Sequence, residues 1–175
     1  MAFDLNGLLQ QYLGGASTQP SPAAADHYQQ VAQSAPPSVL GQGLADAFRS
    51  DQTPPFADMV AKMFGQGTPE QKAGMLNQLI SGLGPGALAS ILGSGILGGQ
   101  GSSAGTAAPV AIAPQDAAKL TPEQVQQVAA HAEQRNPGII DKMGGFYAAH
   151  PGLVKTLGSA ALTIALAKIA NNMKS

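Results

Sequence analysis

Two near-identical four-residue signals mark the starts of helices in this sequence, and they constrain its fold more than any other feature. Thr68-Pro69-Glu70-Gln71 and Thr121-Pro122-Glu123-Gln124 each place a hydroxyl side chain directly before a proline. The threonine oxygen can accept a hydrogen bond from a free backbone N–H, and glutamine three residues later completes a capping box. Proline suits the first helical position because the N–H it lacks has no helical partner there. The sequence therefore predicts helices that begin at Pro69 and Pro122.

Apolar residues recur at helical spacing after these signals and after a related Thr53-Pro54 pair. The two clearest stripes are Phe56, Met59, Val60, Met63 and Phe64, and Met75, Leu76, Leu79, Ile80 and Leu83. Gly84-Pro85-Gly86 follows the second stripe and predicts a break between two helices. No alternating β pattern of useful length is present. We therefore expect an all-α fold, a multi-helix bundle of about six to eight short helices.

Composition divides the chain into five parts. Residues 1–15 predict an amphipathic helix, and residues 16–25 predict a flexible tether that joins it to the body. Residues 26–97 form a first helical block, residues 98–113 a linker of Gly, Ser, Ala and Pro, and residues 114–175 a second block. Blocks of this size bury little surface alone, so we expect them to dock on each other or to associate with a second copy.

A short repeat lies in the second block, where Asn136-Pro137-Gly138 recurs as His150-Pro151-Gly152. Each copy predicts a helix start, and a glycine (Gly144, Gly158) follows in each. Glycine inside a helix costs about 1 kcal/mol relative to alanine, so its recurrence predicts close approach to a neighbouring helix. The final helix, predicted from Pro151 to about Asn172, is apolar on nearly all sides and is expected to lie in the core.

The sequence offers no pattern typical of catalysis or cofactor binding. It has no cysteine, which excludes disulfides, thiolate nucleophiles and cysteinyl zinc sites. His27, His131 and His150 lie far apart without metal-ligand spacing, and no phosphate loop or nucleophile elbow is present. Asp26 is predicted to cap a helix, and His150 to mark a helix boundary. We therefore expect no enzyme activity, no catalytic residues, no cofactor and no metal site.

Charge is sparse and gives no reason to expect a nucleic-acid partner. Charged residues make up 11% of the chain, and nine Lys plus Arg against ten Asp plus Glu leave a net charge of −1. The basic footprint of a nucleic-acid-binding surface is missing. The expected partner is another protein or a second copy of this chain, and a membrane surface is the alternative.

The longest uncharged stretch runs from Ala73 to Gln115. Three interpretations stay open: two core helices followed by a neutral linker, a self-association surface, or a membrane-interacting hairpin or interfacial helix. Several aliphatic residues of this stretch fit one helical face, which supports the first interpretation. The candidate interaction residues are these four, Leu88, Ile91, Leu92 and Ile96, together with Leu5, Leu8, Leu9 and Tyr12 of the N-terminal helix.

The leading functional hypothesis is a non-enzymatic helical scaffold, adaptor or assembly protein that acts through apolar helix surfaces. The alternative is a membrane-associated or exported membrane-active protein that uses residues 73–115. In composition the chain resembles harpin-type secreted bacterial proteins, which are also rich in glycine and poor in cysteine and aromatic residues, but it shares no motif with them. The N-terminus has neither a basic region nor a long apolar run, so a cytoplasmic location is expected. Export without a cleaved signal is the alternative.

Overall fold

The computed structural model describes residues 4–13, 21–93 and 111–174, and for residues 85–93 it describes the backbone alone. Every regular element within these ranges is helical, which confirms the all-α prediction. The α-helices are α1 Leu5–Leu13, α2 Ala24–Ser34, α3 Pro37–Phe48, α4 Phe56–Gln66, α5 Pro69–Gly93, α6 Pro114–Ala117, α7 Pro122–Arg135, α8 Ile139–Ala148, α9 Pro151–Val154 and α10 Ser159–Lys174. They outnumber the six to eight expected because α6 and α9 are single turns.

Both Thr-Pro-Glu-Gln signals start helices as predicted. The Thr121 hydroxyl accepts a hydrogen bond from the Gln124 backbone N–H at 3.3 Å, and the Gln124 side chain accepts one from the Thr121 N–H at 2.9 Å. Thr68 and Gln71 make the same reciprocal pair at 3.3 and 3.0 Å. These capping boxes satisfy backbone donors that the first turns of α7 and α5 leave free.

Two predicted start residues have other roles. The Thr53 hydroxyl lies 2.6 Å from the carbonyl oxygen of Ala47 and 2.9 Å from that of Ser50, so its one hydrogen is donated to acceptors at the end of α3. The prediction that Asp26 caps α2 is wrong, because α2 begins at Ala24 with Ala23 at the cap position. Asp26 lies in the first turn, where a carboxylate still interacts favourably with the helix dipole.

The glycine at the predicted break has a backbone conformation that separates two helical segments. Gly84 has φ 75° and ψ 166°, and α5 is kinked at this residue. This region of backbone space is open almost only to glycine. The break predicted at Gly84-Pro85-Gly86 is therefore confirmed.

Of two predictions made from the C-terminal repeat, the close helix approach at Gly144 is correct and the uninterrupted final helix is not. Gly144 lies inside α8 against the backbone of α3, so the close approach predicted for it is confirmed. Gly158 has φ 94° and ends a 3₁₀ turn, Lys155–Leu157, before α10 begins. The single helix predicted from Pro151 to about Asn172 is therefore wrong, because the positive φ of Gly158 interrupts it.

The chain forms two compact units, and the first contains residues 1–55 and 140–175. Its centre is α10, which contacts α1, α2 and α3. The inward residues of α10 are nearly all small or aliphatic: Ala161, Leu162, Ala165, Leu166, Ile169 and Ala170. This confirms, for the first unit, that the last helix lies in the core. Gly43 of α3 leaves room for the Ile169 side chain, so α3 and α10 pack closely.

The second unit contains residues 56–139, with α4 packed on α7, and α5 in contact with α4, α6 and α7. Its core consists of the predicted stripes together with apolar residues of α7. The largest contributors are Phe56, Val60, Met63, Phe64, Met75, Leu76, Leu79, Val125, Val128 and Ile139. Lys72 places its ammonium 5.1 Å from the centroid of the Phe64 ring, a cation–π contact at the edge of this core.

These units differ from the linear division into residues 26–97 and 114–175. The first unit joins both ends of the chain, and the second is inserted between them. Of the proposed tether 16–25, residues 21–25 are described and include the start of α2 at Ala24. Of the proposed linker 98–113, residues 111–113 are described and belong to the second unit. Composition marks local breaks, whereas the units are set by contacts between helices distant in sequence.

Candidate interaction surface

The helix that begins the uncharged stretch, α5, is kinked at Gly84. Up to that point α5 is amphipathic and well buried, since Met75, Leu76 and Leu79 are each 0% exposed. At Gly84 the backbone turns, and Pro85–Gly93 continues as helix. Gly84 therefore separates the buried part of α5 from the helical residues Pro85–Gly93 that follow it.

The part of α5 directly before its kink is held by the junction between α7 and α8. The Asn136 side chain donates a hydrogen bond to the carbonyl oxygen of Gly82 at 3.2 Å. It also accepts one from the backbone N–H of Gly138 at 3.1 Å. The buried Ile139 side chain lies against Gly82, where a β-carbon would overlap it. Two helices thus hold α5 in place immediately before its kink.

Ile112 is held by Asn77, which lies on α5 before the kink. Its side-chain oxygen accepts a hydrogen bond from the Ile112 backbone N–H at 2.7 Å, and its amide nitrogen donates to the Ile112 carbonyl oxygen at 3.3 Å. Directly afterwards α6 begins at Pro114 and buries Ala117. Ile112 is therefore held by a side chain of α5.

Both anchors lie close together along α5. Asn77 and Gly84 are seven positions apart, which at about 1.5 Å per residue is about 10 Å along the helix axis. The sequence between Gly84 and Ile112 contains no charged residue. We call residues 85–111 the uncharged segment. The residues that are held beside it, Gly82 and Ile112, both belong to the second unit.

The predicted interaction residues fall into two groups. Leu9 and Tyr12 are buried in the first unit, with 3% and 6% of their surface exposed, whereas Leu5 and Leu8 are half-buried. The remaining candidates lie outside the described side chains: for Leu88, Ile91 and Leu92 only the helical backbone is described, and Ile96 is outside the described residues altogether.

The N-terminal helix α1 docks on the first unit. It contacts α10 and α2, with Leu9 and Tyr12 as its buried anchors. The Tyr12 hydroxyl and the Nδ1 atom of His27 are 2.7 Å apart, and their rings meet edge to face. Burial is the main cause that raises the pKa of the Tyr12 phenol. These contacts place α1 on the body of the first unit.

His150 lies between α8 and α9, as predicted for a boundary residue. Its Nδ1 atom is 2.8 Å from the carbonyl oxygen of Phe146, so an Nδ1–H tautomer donates to the end of α8. Its ring stacks on the Phe146 ring with centroids 4.4 Å apart. The equivalent residue of the repeat, Asn136, lies at the junction between α7 and α8, so both repeat copies have a polar side chain at a helix junction.

Among the described residues, no three His, Asp or Glu side chains form a group that could hold a metal ion. Nor is any helix in the described ranges both long and apolar enough to cross a bilayer.

Sequence reasoning missed Asn77 and Asn136 as anchors. The only signal for Asn77 is a polar side chain within an uncharged stretch, and Gln78 directly beside it carries the same signal. Its partner is a backbone group, which leaves no trace in the sequence. No protein-family model, no curated protein and no solved structure matches this chain.

Proposed function

We propose that this protein is a non-enzymatic assembly protein that associates with a second copy of itself through the uncharged segment. One observation carries the proposal: residues 85–111 contain no charged residue, and the residues held on either side of them, Gly82 by Asn136 and Ile112 by Asn77, belong to the second unit. Fixed ends lower the conformational entropy that the segment loses when it binds.

The composition of the segment supports self-association. The cores of protein interfaces are depleted in charged residues, and a surface without charge offers no electrostatic selectivity for an oppositely charged partner. Leu88, Ile91, Leu92 and Ile96 recur at helical spacing between glycine, alanine and serine. Small residues let two helices approach closely, and the larger aliphatic residues supply apolar area to bury.

Light scattering coupled to gel filtration tests the proposal on the full chain. We expect a concentration-dependent dimer or larger species. Leu92→Asp would place a charge within the contact and should raise the dissociation constant at least about tenfold, equivalent to 1.4 kcal/mol. Ser81→Asp is the matched control, because it adds the same charge to α5 at an exposed position.

A strict monomer at every concentration would overturn self-association. The membrane-associated alternative is tested with the same variants by cosedimentation with vesicles of neutral and of anionic lipid. A monomer whose binding to vesicles is abolished by Leu92→Asp and retained by Ser81→Asp would replace the proposal by that alternative. Absence of vesicle binding together with the expected dimer would support assembly.

A further inference from the structure

Asn6 and Gly7 of α1 form the one Asn-Gly pair in the sequence. In such a pair the backbone nitrogen of glycine can attack the side-chain carbonyl carbon of asparagine, because glycine has no side chain to block the approach. The other four asparagines are followed by glutamine, proline, asparagine and methionine. Proline has no N–H to lose in this reaction, and the other three residues carry side chains. Asn6 is therefore the asparagine with the least hindered path to deamidation.

Deamidation proceeds in two steps that need only water as co-reactant. The Gly7 nitrogen bonds to the Cγ atom of Asn6 while the bond from Cγ to Nδ2 breaks, and the proton lost from Gly7 leaves with that nitrogen as ammonia. Water then opens the succinimide ring at one of its two carbonyl carbons. Attack at Cγ gives aspartate, whereas attack at the backbone carbonyl carbon gives isoaspartate, in which the main chain runs through the former side chain.

The helical conformation of α1 opposes the first step. The Gly7 N–H donates a hydrogen bond to the Oδ1 atom of Asp4 at 2.9 Å. This bond engages the attacking nitrogen, and the carboxylate charge beside it disfavours loss of its proton. Asn6 lies within the helix, where ψ is about −42°, and closure of the ring requires rotation away from that value. The Asn6 side chain itself is exposed to water.

This conformation depends on the docking of α1. The helix has nine residues, whereas isolated helices shorter than about 12–15 residues are marginal in water. Gly7 lowers its helix propensity further. Leu9 and Tyr12 are buried against the first unit, and the Tyr12 hydroxyl lies 2.7 Å from the Nδ1 atom of His27. Release of α1 therefore frees the backbone of Asn6 and the Gly7 N–H together.

We propose that Asn6 is a deamidation site that is protected while α1 is docked and reacts when α1 is released, and that the isoaspartyl product does not dock again. Single elements open locally at a lower free energy than global unfolding requires, so α1 is released in part of the population. Because ammonia is lost, the modification accumulates with the time that α1 spends released. The inference is independent of the proposed function, since it uses residues of the first unit alone.

Peptide mass spectrometry of the full chain, incubated at mildly alkaline pH, tests the protection. Leu9→Ala removes a docking side chain and should raise the rate of deamidation at Asn6 at least about tenfold. Gln10→Ala is the matched control, because Gln10 is exposed, and it should leave the rate unchanged. In urea, Asn6 of the unmodified chain should react faster than the other four asparagines. Equal rates at Asn6 with and without urea would overturn the protection, and no reaction in urea would overturn the site.

Asp4→Ala tests the same protection without altering the core. It removes the acceptor of the Gly7 N–H and the cap of α1, and should raise the rate at Asn6 about threefold or more. Asp51→Ala is the control, because it removes the same charge from an exposed position outside α1. A rate in Asp4→Ala equal to that of the control would show that this hydrogen bond does not protect Asn6. Unchanged rates in both Asp4→Ala and Leu9→Ala would overturn the role of docking.

Hydrogen exchange of the modified chains tests the second part. Isoaspartate adds one main-chain carbon directly before Gly7, which shifts Leu9 and Tyr12 out of register with their contacts. Aspartate keeps the register and adds a carboxylate to the first turn, where the helix dipole favours it. The peptides that carry the two products separate by chromatography, so protection of the Tyr12 amide can be read from each. It should be lost in the isoaspartyl peptide and kept in the aspartyl one. Equal protection in both would overturn the failure to dock, whereas the rates above still decide the site.

Discussion

The carbonyl oxygen of Gly41 in α3 lies against Gly144 in α8, so the backbones of these helices meet within the first unit. A β-carbon on Gly144 would overlap that oxygen, and one on Gly41 would come within 3.2 Å of the backbone of Gly145. Residues more than a hundred positions apart in the sequence are thereby in direct contact. The approach depends on the absence of two side chains rather than on the presence of a bond.

Gly144→Ala should destabilise the protein, because the new methyl group forces α3 and α8 apart. Overpacking of this kind costs about 1–3 kcal/mol, which exceeds the gain in helix propensity of about 1 kcal/mol. Gly145→Ala is the matched control, since a β-carbon there meets open space and the residue is exposed. It should leave the free energy of unfolding unchanged or raise it. Urea denaturation followed by circular dichroism compares the two, and equal effects would contradict the close approach.

Leu9→Ala should lower stability by about 2 kcal/mol, the lower end of the range for buried leucine, because α1 is a short terminal helix. Leu9 is 3% exposed, whereas its neighbour Gln10 points to solvent. Gln10→Ala is therefore expected to be neutral. Hydrogen exchange in α1 and α10 would show the loss locally. Equal stability of both variants would mean that α1 is not docked in solution.

The sequence predicted best those features that depend on neighbouring residues. The capping boxes at Thr68 and Thr121 need only four consecutive residues, and the break at Gly84 needs a glycine beside a proline. Gly144 and Gly158 occupy equivalent repeat positions, yet one lies at a helix contact and the other has a positive φ. Only the packing partners distinguish them, and these come from elsewhere in the chain.

The division into units and the anchors of the uncharged segment could not be predicted for the same reason. A stretch rich in glycine and serine suggests a boundary between domains. Here Asn77 and Ile112, which lie before and after that stretch, are hydrogen-bonded within one unit. Which backbone group a lone asparagine binds is decided by tertiary structure, and composition carries no information about it.

Asp141→Asn should cost little stability at neutral pH, about 0.5 kcal/mol, because the pair it breaks is exposed. Arg49 bonds both carboxylate oxygens of Asp141, at 2.8 and 2.9 Å, with 40% and 58% of the two side chains exposed. Hydrogen bonding from Arg49 lowers the pKa of Asp141. The ion pair therefore contributes its full free energy to stability above the unfolded pKa of Asp141, about 3.9. That stability is lost as the pH falls through the lower pKa of the folded state.

A double-mutant cycle with Arg49→Gln isolates this contribution, measured at several pH values and salt concentrations. The coupling free energy should decrease in high salt and disappear in acid. A coupling that is independent of both would show that the two side chains are not ion-paired in solution.

Tyr28→Phe should leave stability unchanged or raise it by up to about 1–2 kcal/mol. The Tyr28 side chain is 0% exposed, and its hydroxyl has no hydrogen-bond partner in the part of the chain that the structure describes. Removing an unpaired buried polar atom removes its desolvation cost, while the aromatic ring continues to fill the same space. Thermal unfolding followed by circular dichroism measures the change. A marked loss of stability would show that the hydroxyl is bonded in solution, for example to a buried water molecule.

Alkaline pH should unfold the first unit cooperatively. Burial raises the pKa values of Tyr28 and Tyr147 well above the usual range for tyrosine. In the unfolded chain both phenols ionise near pH 10, whereas the folded protein holds them neutral. A raised folded pKa means that stability is retained below about pH 10 and is lost as pH rises above it.

Tyrosinate absorbance and circular dichroism, recorded on the same samples, test this pH dependence. Tyr28 and Tyr147 should ionise only together with loss of helix, and not gradually around pH 10. Tyr28→Phe should move the unfolding midpoint to higher pH, because one phenol that favours the unfolded state has been removed. Titration of all three tyrosines near pH 10 without any loss of helix would show that these side chains are accessible to solvent and that the core of the first unit is packed differently.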